Sequence, residues 1–182
     1  MGALLDTAKV RPLFAVEPLG SARVYSHALG KVTLLSSVRK SDKDTPTIKL
    51  GEKAHVYDCL HQKSLGETDT ITAPSDSRGF DLFAVSRDDL KAPRLTAPAF
   101  AQRGTAVKVA INLPSGEGRI VRLDVHRPDG SWVRVYRKFV TLKGNSGNLA
   151  IPFAINDPTG VWKIRATDLA SGLAEEEKIT IH

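Results

Sequence analysis

Cysteine, methionine and aromatic side chains are scarce in this 182-residue chain: one Cys, one Met, and Phe, Trp and Tyr together 6%. The lone Cys59 excludes an internal disulfide and any cysteine-rich metal site, and it leaves the redox compartment open. No apolar run approaches the roughly 18 residues that a membrane-crossing helix needs, so membrane insertion is not expected. The opening residues, MGALLDTAKVRPLF, lack the apolar core and small-residue cleavage site of a signal peptide. No long helical period is present. The Gly30-Lys31 pair fails as a phosphate loop, because Tyr25 stands at the first Gly position and Val32 at the Ser/Thr position. No cofactor is therefore expected.

The abundant features describe a soluble β protein. Hydrophobic residues make up 41% and charged residues 25%, and the 14 Gly and 10 Pro are scattered singly, as short strands joined by turns require. The net charge of +6 is uneven: residues 1–91 carry 13 basic and 12 acidic side chains, residues 92–182 carry 13 and 8. The basic residues of the second half are spread along strand patterns rather than gathered in a stripe, so nucleic acid is not an expected partner.

The clearest local signal is residues 156–168, NDPTGVWKIRATD. An Asx-Pro turn with Gly160 leads into Trp162, Ile164 and Ala166 alternating with Lys163, Arg165 and Thr167, which predicts a half-buried strand with Trp162 in the core. Residues 1–20, broken by Pro12 and Pro18, read as an irregular lead-in. Residues 23–27 and 31–38 predict a hairpin around Gly30, and residues 47–72 a second one turning at His61-Gln62-Lys63. Residues 80–85 are apolar on both faces apart from Asp81 and predict a central strand buried on two sides. Residues 87–98, with Asp88-Asp89 and two prolines, read as a linker. Beyond it lie strand patterns at 106–113, 121–125, 133–135, 149–153, 161–167 and 178–181. The expected fold is all-β, two consecutive antiparallel β-sandwich modules over residues 1–91 and 92–182, the second immunoglobulin-like.

The hairpin at Pro128-Asp129-Gly130 predicts its own register. A three-residue loop sets Val125 opposite Val133 and Leu123 opposite Val135, whereas other loop lengths set valines against charges. The outward face then pairs His126 with Trp132, Asp124 with Arg134 and Arg122 with Tyr136. That face, Arg122, Asp124, His126, Trp132, Arg134 and Tyr136, is the candidate ligand-binding or docking surface.

Two stretches carry a family resemblance. AHVYDCLHQKSLGETDTIT, followed by FDLFAVS, resembles a β-sandwich module that lies C-terminal to the catalytic region of bacterial glycoside-hydrolase-like (β-galactosidase-like) proteins. Val56-Tyr57-Asp58 and Leu65-Gly66 match its pattern, while Gln62 stands where a turn Gly is usual. NDPTGVWKIRATDLASG is similar to the immunoglobulin-like or macroglobulin-like module that follows it. The resemblance implies the non-catalytic C-terminal region of a larger polysaccharide-processing protein, with the catalytic domain outside this chain and the parent secreted or periplasmic. Implied partners are that catalytic domain or another protein surface; the alternative, read from the residues themselves, is a carbohydrate-binding module with Trp132 and Tyr136 as its stacking platform.

Other clusters carry less. His55, Cys59 and His61 lack a third orienting group for thiol catalysis. Asp42, Asp44 and Glu52 lack the Gly and closing Glu of a calcium loop, so no metal site is expected. Glu175-Glu176-Glu177 alternates faces along a strand and predicts surface charge opposite Lys163 and Arg165 rather than an acid–base pair.

Overall fold

The computed structural model describes residues 14–41, 44–74 and 79–182, so the lead-in over residues 1–13 and Asp42 lie outside the described residues. Six strands come first: β1 (Phe14–Glu17), β2 (Ala22–Leu29), β3 (Val32–Arg39), β4 (Thr47–Asp58), β5 (Lys63–Thr72) and β6 (Phe80–Ser86). They form one sheet in the order β1-β4-β6-β3-β2, with β5 also paired to β4. Strand β4 makes this possible. Its register against β5 shifts between Lys49 and Ala54, and one of its edges is shared, by β1 up to Leu50 and by β6 from His55. The sheet so formed gathers Leu35, Ile48, Val56, Ile71 and Phe83 into one core. The hairpin expected around Gly30 forms, with Leu29 opposite Val32, and β6 is the expected central strand between β3 and β4. Its polar exception, Asp81, is buried and accepts hydrogen bonds from Arg39 Nε (3.2 Å) and Nη2 (3.0 Å), a pairing that a charge in such a place requires.

The remaining strands are β7 (Arg94–Thr96), β8 (Phe100–Ala101), β9 (Ala106–Asn112), β10 (Ile120–His126), β11 (Lys138–Thr141), β12 (Ser146–Pro152), β13 (Gly160–Asp168) and β14 (Ala174–Ile181), with a 3-10 turn at Arg134–Tyr136. They build a five-stranded sheet, β11-β10-β13-β14-β8, and a three-stranded one, β12-β9-β7. Alternating side chains of the two sheets meet in a single core: Val107, Val109 and Ile111 from β9 against Val121, Leu123 and Val125 from β10, and Trp162 and Ile164 from β13. The protein is all-β, and this second module is an immunoglobulin-like sandwich. One pairing departs from the antiparallel expectation: β8 runs parallel to β14.

Trp162 is fully buried, as its period-two neighbours predict; it meets Phe153 edge-on at 5.1 Å, and its Nε1 donates to Pro158 O (2.9 Å). The expected linker is more ordered than its composition suggests. Residues 94–96 are β7, and Leu90 is buried, its N–H donating to the Tyr57 hydroxyl (2.8 Å), which itself donates to Asp89 (2.9 Å).

Two aspartate-organised turns join the modules. After β4, Asp58 accepts the N–H groups of Leu60 (3.1 Å) and His61 (3.0 Å) and pairs with His61 Nδ1 (2.7 Å). After β13, Asp168 accepts the N–H of Ser171 (2.9 Å) and its hydroxyl, and is held by Arg119, both side chains being fully buried. The turns touch directly: Cys59 Sγ donates to Ala170 O (3.3 Å), and Gln62 Nε2 to Leu169 O (3.2 Å). At Gly172, with φ +76°, a Cβ would lie 2.5 Å from Gln62 O, so no larger residue fits between the turns.

Candidate functional site

The outer face of the five-stranded sheet is set by alternation along β10. Val121, Leu123 and Val125 point into the core, so Ile120, Arg122, Asp124 and His126 point out. The 128–130 loop has the expected length: Gly130 adopts φ +84°, its N–H donates to Arg127 O (2.9 Å), and His126 bridges to Trp132. The register then breaks. Beyond Val133 the chain turns through Arg134–Tyr136, and when pairing resumes Lys138 lies opposite Leu123 and Phe139 opposite Arg122. Three residues have left the ladder.

Two of the six expected face residues are displaced as a result. Tyr136 is buried in the core, 5.6 Å from Phe153 and 6.2 Å from Trp162, with its hydroxyl hydrogen-bonded to Asp157 and accepting the N–H of Ala154 (2.9 Å). Burial, and then the Asp157 carboxylate, push its pKa up. Arg134 is exposed in the 3-10 turn and does not pair with Asp124. The cause is the pull of an apolar core and a waiting carboxylate on the Tyr136 ring. The expected chemistry survives on residues three places later. Arg137 replaces Arg134 as the ion-pair partner of Asp124, and Phe139 replaces Tyr136 opposite Arg122.

The resulting cluster is tightly built. Asp124, largely buried, accepts Arg122 Nε on one oxygen (2.8 Å) and Arg137 Nε on the other (2.6 Å). The Arg137 guanidinium lies 4.1 Å from the centre of the Trp132 ring, a cation–π contact. Around this cluster is a depression of about 420 Å³, lined also by His126, Arg165 and Thr167, and walled at one end by Gln62 and Gly172 of the intermodule junction. Its lining holds three arginines against a single carboxylate. Sequence reasoning missed Arg137, Phe139 and the junction wall, because no Gly, Pro or Asn in residues 132–137 signals the turn.

The other candidates resolve differently. Cys59 is buried, and its thiol is pushed up to about 12, first by burial and then by the Asp168 and Asp58 carboxylates. A thiol so placed is a packing group of the junction rather than a nucleophile. His61 pairs with Asp58, while His55 lies 4.0 Å from Asp89, so the three groups do not converge. Among the described residues no group of three His, Cys, Asp or Glu could hold a metal ion, and no helix is long and apolar enough to cross a membrane. Glu176 pairs with Arg165 as expected (3.4 Å), but the residue opposite Lys163 is Lys178.

Fold and site together define a two-module all-β chain with an immunoglobulin-like second sandwich and a polar, arginine-rich face. No protein-family model matches the sequence, and no curated protein matches it. Solved structures with a similar shape include α-2-macroglobulin from Salmonella reacted with methylamine (15% identity, 89% of this chain and 12% of that one, TM-score 0.41). Elastase-activated α-2-macroglobulin from Escherichia coli is another (10% identity, 92% and 23%, TM-score 0.40). A third is the PKD domain of an M14-like peptidase from a Thermoplasmatales archaeon (18% identity, 52% and 96%, TM-score 0.32).

Proposed function

We propose that this chain is a non-catalytic, rigid two-module region, over residues 1–91 and 92–182, of a larger polysaccharide-processing, glycoside-hydrolase-like protein. Its contact surface is the outer face of the five-stranded sheet. The observation carrying this reading is that Ile120, Trp132 and Phe139 stand 41%, 42% and 60% exposed around the fixed Arg122–Asp124–Arg137 cluster. Exposed aromatics beside pre-oriented arginines are the composition of interface centres, where Trp and Arg dominate the binding energy. Hydroxyl-radical footprinting tests it, comparing this isolated chain with the product of the complete natural reading frame. Trp132 and Phe139 are expected to be oxidised readily in the first and protected in the second. Equal oxidation in both, or a natural frame that begins at Met1, contradicts the reading. A second reading, direct carbohydrate binding, is favoured by one observation: Trp132 lines a concave depression of about 420 Å³ together with His126, Arg165 and Thr167.

A further inference from the structure

The depression specifies its ligand through the groups it leaves unpaired. Arg122 and Arg137 each meet Asp124 through Nε alone, and among the described residues their terminal nitrogens meet no acceptor. Two guanidinium edges therefore remain able to take a planar anion in bidentate fashion. Arg165, opposite Asp124 in the sheet and itself paired with Glu176 (3.4 Å), adds a third, partly neutralised cation. The same lining holds two polar atoms that are buried and without a partner, Thr167 Oγ1 and Gln62 Oε1, and Thr167 as a whole is only 3% exposed. An amide oxygen can only accept, and a hydroxyl both donates and accepts. A carboxylate alone offers no donor for Gln62; a ligand that satisfies this site brings a donor for Gln62 and a donor or acceptor for Thr167 beside its carboxylate, as the hydroxyls of a sugar acid do. Trp132 also lines the depression, and an indole is a surface on which the apolar face of a sugar ring can pack.

We propose that the depression on the outer face of the second module binds a carboxylate-bearing saccharide, a uronic-acid unit. Its carboxylate lies against the free edges of Arg122 and Arg137, and its hydroxyls reach Gln62 and Thr167. An acidic protein segment also brings backbone N–H donors for Gln62 Oε1; the sugar acid is preferred because hydroxyls that both donate and accept stand on one rigid ring beside its carboxylate, able to serve Gln62 Oε1 and Thr167 Oγ1 together. The proposal rests on the reading of this face as the chain's contact surface, and in particular on its carbohydrate form. Because Gln62 belongs to the first module, the site is complete only while the modules are docked.

Titration calorimetry, with tryptophan fluorescence alongside, tests this on the intact chain with four probes: tri-galacturonate, cellotriose, acetate and a capped tri-glutamate peptide. Trp162 is fully buried, so a fluorescence change reports Trp132. Tri-galacturonate is expected to bind saturably with a dissociation constant of roughly 10 μM to 1 mM, and at least about tenfold more tightly than each of the other three. Arg122→Gln, Arg137→Gln and Gln62→Ala are each expected to weaken it about tenfold or more, with near-UV circular dichroism unchanged. Should one variant lose its fold, the remaining two carry the comparison. Equal affinity for cellotriose removes the carboxylate role and overturns the proposal while leaving the carbohydrate reading standing. Tighter binding of the glutamate peptide overturns it in favour of a protein partner. Binding that survives all three substitutions places the ligand elsewhere, and an absence of binding by tri-galacturonate overturns the proposal outright, with protein docking still testable by footprinting.

Discussion

Individual residues settle how this chain departs from a generic sandwich. Gln62 adopts φ +53° in the turn between β4 and β5, in the left-handed region that favours glycine. A non-glycine residue in that region is strained, and its compensation is visible: Nε2 donates to Cys59 O (2.6 Å) and Leu169 O (3.2 Å), tying the turn to the second module. The sequence marked the oddity but not its purpose, because Leu169 lies 107 residues away. Trp162 was legible from its alternating neighbours. Replacing it with Ala should cost about 3–5 kcal/mol, the usual penalty for deleting a large core aromatic; urea unfolding at the parent's midpoint would invert the strand facing. Cys59 makes a pH prediction. Its pKa is 9.0 ordinarily and about 12 in the fold, so below pH 9 the folded and unfolded chains are both protonated and stability is intact. As pH rises from 9 towards 12 the unfolded chain gives up a proton that the folded chain keeps, and stability falls by about 1.4 kcal/mol per unit. Tyr57 and Tyr136, both raised chiefly by burial, act in the same direction at higher pH. Unfolding free energies measured across about pH 8 to 10 should therefore slope less steeply in Cys59→Ala than in the parent. Parallel slopes would show that the thiol is not buried as described.

At the level of elements, the 128–130 hairpin shows where pattern reading ends. Its loop length and the Val125–Val133 facing follow from apolar periodicity, and Val133 N–H does donate to Val125 O (2.9 Å). Periodicity also carried the strand onward through Val135, which in the fold is 78% exposed on the 3-10 turn. The competing influence is tertiary: Tyr136 gains a core position beside Phe153 and Trp162 and a buried hydrogen bond to Asp157, which local alternation cannot express. Tyr136→Phe keeps the ring and removes the hydroxyl, leaving Asp157 with only the Ala154 N–H (2.8 Å) among the partners seen in the fold. A loss of about 1–3 kcal/mol is expected for a buried group deprived of its partner. A fully stable variant, judged by thermal unfolding, would mean that packing alone holds the turn. Strand β14 was also longer than the apolar pattern over residues 178–181, since Ala174 and the three glutamates pair along β13 without an apolar alternation of their own.

At the scale of the whole molecule, the all-β organisation was legible because turn residues and short alternating runs recur along the chain. The docking of the modules was not, because it depends on two turns over a hundred residues apart meeting at Cys59, Gln62, Ala170 and Gly172. Helix is confined to one short 3-10 turn among the described residues, so far-UV circular dichroism should show a single β-type minimum. The docked arrangement is also what completes the arginine-lined depression, since Gln62 forms one wall and the second module the rest. The rate at which Cys59 reacts with an aromatic disulfide at about pH 8 tests this central claim directly. In the parent the thiol should react no faster than the chain unfolds globally, because it is enclosed by the junction. Gly172→Ala, which forces a Cβ against Gln62 O, should raise that rate by at least about tenfold, equivalent to about 1.4 kcal/mol of lost docking, while the second module's core stays folded by near-UV circular dichroism. Rapid labelling of the parent at a rate unrelated to unfolding would contradict the account, for it would mean that the two modules separate freely and share no site.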